Sequence, residues 1–234
     1  IRSTDKLRIL VAAHCFFDSP NGLGKNIFVD FYEWFQCLGR VSEKTDYDWY
    51  IKTHPDAMPE NIPILKELSE QYPKFTLIPK ETSHHQLLEE GIDVALTVYG
   101  TIGFEYAALG KLVVNASMAN PHIAYDFNLN PRTLEEYENV LMDLKSQKID
   151  ISMNEVYEYY GMAHDVGDIE EWLIPAFHEM LTTIGYLEQF NPKIYQYFLD
   201  RFQRDHHEQR IRLLENFIAS DDYVMTTDHW RRAH

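Results

Sequence analysis

Residues 93–114 read DVALTVYGTIGFEYAALGKLVV, and this stretch decides the fold. An apolar run ends at Val98, Gly100 permits a tight turn, and a helical pattern follows. Gly110 ends that helix, and a second apolar run comes directly after it. The order strand, helix, strand is a βαβ unit, which predicts two parallel strands joined by a crossover helix.

The same alternation extends towards the N-terminus. Short apolar runs predict strands at residues 6–13, 48–53, 75–78, 93–98 and 111–115, with helices between them at 26–44, 60–72, 84–90 and 101–109. Asn26 and Ser83 are the predicted N-caps of two of these helices. Strands that are apolar throughout fit a sheet that is covered on both faces. We therefore expect an α/β fold, a Rossmann-like doubly wound parallel sheet.

The chain changes character near residue 150. Residues 1–150 carry the strand and helix alternation, with a last helix predicted at 133–145. Residues 151–234 are rich in Tyr, Glu and Leu and predict a helical C-terminal extension, in which 194–218 reads as one long amphipathic helix. We expect this extension to pack on the first domain or on a further domain.

Charge and cysteine content exclude several classes of protein. A net charge of −16 argues against a nucleic-acid partner, because such binding needs Lys and Arg to neutralise phosphates. A small anionic ligand remains compatible with this charge, since a few backbone N–H groups can bind a phosphate locally. Cys15 and Cys37 are too few for a disulfide framework, and we expect a cytoplasmic protein. Residues 1–4 contain no initiator Met and lead almost directly into a strand, so we expect a fragment that lacks an upstream domain.

Three loops are the candidate ligand sites. Parallel sheets of this type bind ligands at the carboxyl ends of their strands, in the loops that lead to helices. The rule selects the loops after Ala13, Thr53 and Val98.

The loop after Val98 has the residues of a nucleotide site. Gly100 forms the turn and Thr101 opens a helix, where free N–H groups, the helix dipole and the Thr101 hydroxyl favour a phosphate. Gly103 would let a ligand approach the first turn. Glu105 lies on the same helix face as Thr101 and can accept hydrogen bonds from both hydroxyls of a ribose. An ordinary βαβ turn with a solvated Glu105 is the alternative.

Residues 101–111, TIGFEYAALGK, followed by a strand, resemble the C-terminal donor domain of GT-B glycosyltransferases, closest to the bacterial capsule and surface-polysaccharide transferases. The resemblance implies that Glu105 binds the nucleotide ribose and Thr101 the phosphate. It also implies metal-independent transfer of a sugar from a CMP-, UDP- or GDP-sugar to a glycan acceptor, with no cofactor. The general base would come from an N-terminal GT-B domain, which we expect to be missing from this chain. Leu112 stands where that family usually has Pro.

The loop after Thr53 carries His54-Pro55 at a strand end. It resembles the His-Pro motif of capsule transferases that use CMP-activated sugars, where the His contacts the nucleotide phosphate. His54 would then stabilise the leaving phosphate, and Pro55 would turn the chain. A capped turn with a partly exposed His54 is the alternative.

The remaining candidates are weaker. In the loop after Ala13, Lys25 could reach the sugar or phosphate together with Gly22 and Gly24, with Asp18 weaker still, although the spacing is not that of a P-loop. His85 is a minor candidate near the base. The loop after the fifth strand has polar residues for which a structural role is favoured over contact with the donor sugar: Asn120, His122, Asp126 and Arg132. No His or Cys spacing indicates a metal site.

Other functions stay open at this stage. A CDP-glycerol-type polyol-phosphate transferase would share the fold, but its turn typically reads Asp-Tyr-Ser-Ser where this chain has Val98-Tyr99-Gly100-Thr101. The acidic, Tyr-rich tail could make the chain a non-catalytic binding module. A sugar-nucleotide epimerase would need carboxylates placed for proton transfer, and none can be identified. For the transferase we also leave open peripheral association with the inner face of the bacterial plasma membrane.

Overall fold

The structure is a computed structural model that describes residues 5–17, 24–54, 57–166, 177–185, 191–201, 204–226 and 228–229. It divides into two compact units, Ile1–Tyr159 and Tyr160–His234. The division falls after the boundary near 150 that the sequence suggested. Asp18, Gly22 and Pro55, three of the candidate residues, lie outside the described residues.

The first unit contains a five-stranded sheet whose strands all run parallel. In chain order the strands are β1 (Arg8–Ala12), β2 (Asp48–Lys52), β3 (Phe75–Ile78), β4 (Val94–Thr97) and β5 (Leu112–Asn115). They lie side by side in the order β3-β2-β1-β4-β5. Outside β5, Leu129 forms a single parallel bridge with Val114. The predicted doubly wound parallel sheet is thus confirmed.

Helices cover both faces of this sheet. The helices of the first unit are α1 (Phe31–Lys44), α2 (Asn61–Gln71), α3 (His84–Glu89), α4 (Ile102–Ala108), α5 (Leu134–Met142) and α6 (Met153–Tyr160). Ile9 and Val11 of β1 pack with α1, α2 and α5, whereas Leu10 packs on the opposite face with α3 and α4. Adjacent residues of a strand point to opposite faces, so a strand buried on both sides must be apolar at every position.

The strand order reverses between β1 and β4. The chain that leaves β1 enters α1 on one face, and the chain that leaves β4 enters α4 on the other. Between these diverging connections a parallel sheet leaves a crevice at the carboxyl ends of its strands, which is where such folds bind ligands.

Helix α1 begins later than the sequence predicted. It starts at Phe31, and Asp30 is its N-cap, accepting a hydrogen bond from the Glu33 amide. Asn26 is not the cap: it forms an antiparallel bridge with Ser117, and the prediction for Asn26 is wrong. The segment before α1 is held by a distant part of the chain, which the local helical pattern could not reveal.

The second unit is helical in its described residues. A π-helical turn at Gly161–Val166 follows α6, and the described helices after it are α7 (Phe177–Ile184), α8 (Pro192–Arg201) and α9 (Arg204–Ile218). The long helix predicted over 194–218 spans residues 202–203, which lie outside the described residues. None of the helices described in either unit has the length and apolar character needed to cross a membrane.

Candidate functional site

His14 links the two strands at which the sheet order reverses. Its Nε2 lies 3.0 Å from the Thr97 Oγ1, and the Val98 amide donates to the same nitrogen at 3.2 Å. The ring stacks on Phe31 at a centroid distance of 4.7 Å. His14 therefore fixes the carboxyl end of β1 to that of β4, in the crevice where a ligand is expected.

The environment of His14 keeps it neutral. Nε2 accepts a backbone N–H, so the proton of the neutral ring sits on Nδ1. Burial, with a smaller contribution from the charge of His54, lowers the pKa of His14 to about 4. The pairing of β1 with β2 sets Ala12 opposite Lys52, and His14 and His54 each follow two residues later. His14 thus serves as a fixed acceptor near neutral pH and does not carry charge there.

The turn after β4 is built on Thr97 and Gly100. The Gly100 amide donates to the Thr97 Oγ1 at 3.1 Å, and a Cβ added at Gly100 would lie 2.8 Å from that oxygen. The first α4 hydrogen bond runs from the Gly103 amide to the Gly100 carbonyl. The amides of Thr101 and Ile102 therefore have no carbonyl partner within the helix. The exposed Thr101 side chain makes no capping hydrogen bond, so its hydroxyl is available to a ligand.

A second set of polar side chains is contributed by β2, α3 and α4. The His84 Nδ1 lies 2.9 Å from the Tyr106 hydroxyl, and the buried Lys52 donates to the Lys80 carbonyl at 2.8 Å. Burial lowers the pKa of His84, the charge of Lys52 lowers it further, and the exposed Glu105 opposes both. Burial also lowers the pKa of Lys52. The half-buried imidazole of His84 is thus influenced by Lys52 at the end of β2 and by Glu105 on α4.

Gly103 has a packing role within the protein. A Cβ at this position would lie 2.3 Å from the ring of His122, which is 1% exposed. The space that the sequence analysis assigned to an approaching ligand is filled by this imidazole. Burial lowers the pKa of His122 to about 4, so it too is neutral near pH 7.

The other candidates occupy separate places. His54 is exposed after β2, and His85 is exposed at the start of α3, where its neighbour His84 takes the inward position. Lys25 is exposed with a left-handed φ of 49°, and its carbonyl accepts from the Met118 amide at 3.0 Å. Lys25 therefore lies beside the chain that follows β5.

The structure places Thr101 at the N-cap of α4 and Glu105 in its first turn, and His54 follows β2 two residues after Lys52, the partner of Ala12 in β1. Sequence reasoning missed His14, Lys52 and His84. A signal existed for His14, because it directly follows a strand that the carboxyl-end rule had selected. The contact of His84 with Tyr106 joins residues 22 apart in sequence and has no local signature.

No protein-family model matches this chain, and no curated protein matches it. The resemblance to GT-B transferases therefore gains no support from these comparisons. Within the described ranges, no three or more His, Cys, Asp or Glu side chains are grouped so that they could hold a metal ion.

Proposed function

We propose that this chain is the nucleotide-sugar-binding domain of a metal-independent glycosyltransferase that acts in bacterial capsule or surface polysaccharide synthesis. One observation carries the proposal: exposed Thr101 and Glu105 lie at the start of α4, and exposed His54 follows β2, the strand paired with β1, at the carboxyl edge of the sheet whose strand order reverses between β1 and β4. This is the place where parallel α/β sheets bind nucleotides.

The groups at this edge suit the departure of a nucleotide. When the sugar leaves a nucleotide donor, negative charge grows on the phosphate oxygens, and hydrogen-bond donors already in position lower the barrier. The Thr101 hydroxyl, the amides of Thr101 and Ile102, and the imidazole of His54 are donors of this kind. Lys52 adds a positive charge to the same edge.

Glu105 fits the ribose. An ionised carboxylate accepts hydrogen bonds and donates none, and its two oxygens can take both vicinal hydroxyls of a ribose. Such a contact does not discriminate between bases, so the base preference of the donor would come from elsewhere. The His54-Pro55 pair, by its resemblance to transferases that use CMP-activated sugars, favours cytidine.

The acceptor hydroxyl needs a general base, normally Asp, Glu or His. His14 is unsuited to that role, because a group with a pKa of about 4 removes protons weakly at neutral pH. We propose that the base comes from a separate N-terminal GT-B domain. On this proposal the chain binds donor alone and transfers sugar only with that domain.

Isothermal titration calorimetry of the chain with CMP, CDP, UDP and GDP tests the proposal. We expect saturable binding of at least one nucleotide, with roughly tenfold weaker binding after Glu105→Gln, because a hydrogen bond to a charged group contributes about 1.5–3 kcal/mol. Glu70→Gln, an exposed carboxylate on α2, is the matched control and should bind as the unmodified chain does. Binding of none of the four nucleotides by the folded chain would refute the proposal.

His54 is tested in the same experiment. We expect His54→Ala to weaken CMP binding severalfold, because the variant loses a phosphate donor. His164→Ala, an exposed histidine in the π-helical turn after α6, is the control. Full CMP affinity in His54→Ala would remove His54 from the site and leave the roles of Thr101 and Glu105 standing.

A further inference from the structure

A groove of about 430 Å³ lies in the loop that follows β5. Polar and apolar side chains share its wall, among them Ile123, Asp126, Asn128, Leu129, Asn130 and Arg132. We call it the asparagine groove. It belongs entirely to the first unit, and its lining residues are different from those of the nucleotide site.

The wall of this groove contains buried polar atoms without partners. Asn128 is 5% exposed, and neither its amide oxygen nor its amide nitrogen has a hydrogen-bond partner among the described residues. Three further side-chain atoms nearby in sequence are also buried and have no hydrogen-bond partner among the described residues: the Asn115 Oδ1, the Asn120 Oδ1 and the His122 Nδ1. Native proteins leave few such atoms unpaired, so the unpaired Asn128 amide in the wall of the groove points to a ligand there.

The scaffold behind Asn128 is well fixed. The Asn130 Oδ1 accepts from Asn115 at 2.8 Å and from Asn120 at 3.0 Å, and the Asn130 amide nitrogen donates to the Asn128 carbonyl at 3.3 Å. The backbone on either side of Leu129 is tied to β5, because the Leu129 amide donates to the Val113 carbonyl at 2.9 Å. The last side-chain torsion of Asn is broad, so the Asn128 amide can turn to a ligand at little cost while its backbone stays in place.

Arg132 supplies the positive charge of the groove. Its side chain is exposed, and its guanidinium makes no ion pair or hydrogen bond with any residue that the structure describes. A guanidinium matches the planar geometry of a carboxylate and can bind it with two parallel hydrogen bonds. Asp126 on the same wall repels a dianion such as a phosphate monoester, and a monocarboxylate avoids most of that repulsion.

The other lining residues indicate which groups the ligand carries besides the carboxylate. Asp126 and Asn128 can hydrogen-bond hydroxyl groups, and Ile123 and Leu129 can contact the C–H face of a sugar ring. No aromatic side chain is among the lining residues that the structure describes, so the groove has no platform for stacking a nucleobase. These features together select a hydroxyl-rich monocarboxylate.

We propose that the asparagine groove binds a carboxylate-bearing saccharide, with Arg132 on the carboxylate and Asp126 and Asn128 on the hydroxyls. Binding at the groove does not depend on the nucleotide site. The assignment of this ligand as the glycan acceptor rests on the proposed function.

NMR titration of the full chain with glucuronate tests the groove, with glucose and acetate as comparison probes. We expect saturable shifts of the Asn128, Asn130 and Arg132 amides with glucuronate, and much weaker effects with glucose, which lacks the charge, and with acetate, which lacks the hydroxyls. Arg132→Gln should weaken glucuronate binding roughly fivefold to tenfold, and Arg40→Gln, an exposed arginine on α1, should leave it unchanged.

The variant Asn128→Leu distinguishes a loss of glucuronate binding from a loss of stability. Removing a polar group that has no partner should leave the melting temperature unchanged or higher, yet weaken glucuronate binding. Absence of saturable binding, equal binding by Arg132→Gln, or acetate binding as well as glucuronate would each overturn the proposal. Nucleotide titration of the same samples keeps the two proposals apart, because loss of the groove leaves nucleotide binding intact and failure of nucleotide binding leaves the groove result intact.

Discussion

Two neutral histidines hold the first turn of α4 from opposite ends. His14 lies against Gly100, where an added Cβ would be 3.5 Å from the ring, and His122 lies against Gly103, where it would be 2.3 Å away. Both rings are neutral near pH 7 because burial lowers the pKa of each to about 4. Gly103 is therefore required by the His122 ring, and Gly100 by the Thr97 Oγ1, which an added Cβ would approach to 2.8 Å.

Gly103→Ala should destabilise the first unit by about 1–3 kcal/mol, because the new methyl group overlaps the His122 ring in a packed interior. Urea denaturation measures the change. Gly161→Ala is the control, since a Cβ there meets nothing within 4 Å, and it should leave the free energy of unfolding unchanged or raise it by up to about 1 kcal/mol.

A second substitution checks the cause of this loss. Removing the ring in the double variant Gly103→Ala, His122→Ala should cost less than the sum of the two single changes, because neighbouring substitutions that relieve one clash are not additive. Additive costs would show that His122 is not what the alanine meets.

His14→Phe should lower the free energy of unfolding by about 1–3 kcal/mol. Phenylalanine keeps the stacking on Phe31 but leaves the buried Val98 amide and the Thr97 hydroxyl without their acceptor. Urea denaturation gives the value, and exposed His85→Phe is the control. A stable His14→Phe chain would mean that the link between β1 and β4 does not depend on this imidazole.

At the scale of elements, strands and helix ends could be predicted from the sequence wherever their position depends only on residues close by in the chain. The strands were predictable because burial on both faces demands continuous apolar runs, as in residues 94–97. Ser83 was predictable as the cap of α3 because its side chain accepts from the Gln86 amide three residues on. The start of α1 was not predictable, because residues 26–27 pair with the chain after β5 and that pairing overrides the helical pattern.

The same difference between local and long-range interactions explains which residues of the candidate site could be predicted from the sequence. Thr101 and Glu105 could be proposed from the sequence because the roles proposed for them depend on one turn and one helix face. His14 was missed because its partner Thr97 is 83 residues away in sequence. Lys52 was missed because its side chain reaches a carbonyl in the loop after β3, and only the order of the strands brings that loop close.

The N-termini of α1 and α4 differ in their capping: the Asp30 side chain caps α1, whereas the Thr101 side chain does not cap α4. Asp30→Ala should cost about 0.5–2 kcal/mol in urea denaturation, because the Asp30 carboxylate caps α1. Thr101→Ala should cost little, since the Thr101 side chain makes no cap hydrogen bond, yet it should weaken nucleotide binding. A large stability loss in Thr101→Ala, with nucleotide affinity retained, would reverse the roles given to these two helix starts.

For the whole molecule, a net charge of −16 works against an anionic ligand at long range. Exposed charges are screened beyond about 8 Å at physiological salt, so the groups within the site decide the affinity. Lys52 supplies a positive charge at one edge of an otherwise acidic protein. Asp126 and Arg132 give the asparagine groove no net charge, in keeping with a monocarboxylate ligand.

Charge and histidine burial make opposite contributions to the pH dependence of stability. As pH falls from 7 towards the isoelectric point near 5.0, the negative charge declines and self-repulsion weakens, which favours the folded state. His14 and His122 act in the other direction. Their folded pKa of about 4 lies below the unfolded value of 6.5, so the unfolded chain binds more protons between these pH values.

The histidine contribution is therefore fully present above about pH 6.5 and is lost as pH falls through that window towards 4. For the buried His122 the full loss is about 3 kcal/mol, since a tenfold change in an equilibrium constant is about 1.4 kcal/mol. Urea denaturation from pH 7 to pH 4.5 should show unmodified protein losing more stability than His122→Gln, which cannot take up the proton. Exposed His85→Gln, compared over the same range, should follow the unmodified protein. Parallel curves for all three proteins would mean that His122 does not resist protonation in the folded state, and the account of a neutral imidazole wedged against Gly103 would fail.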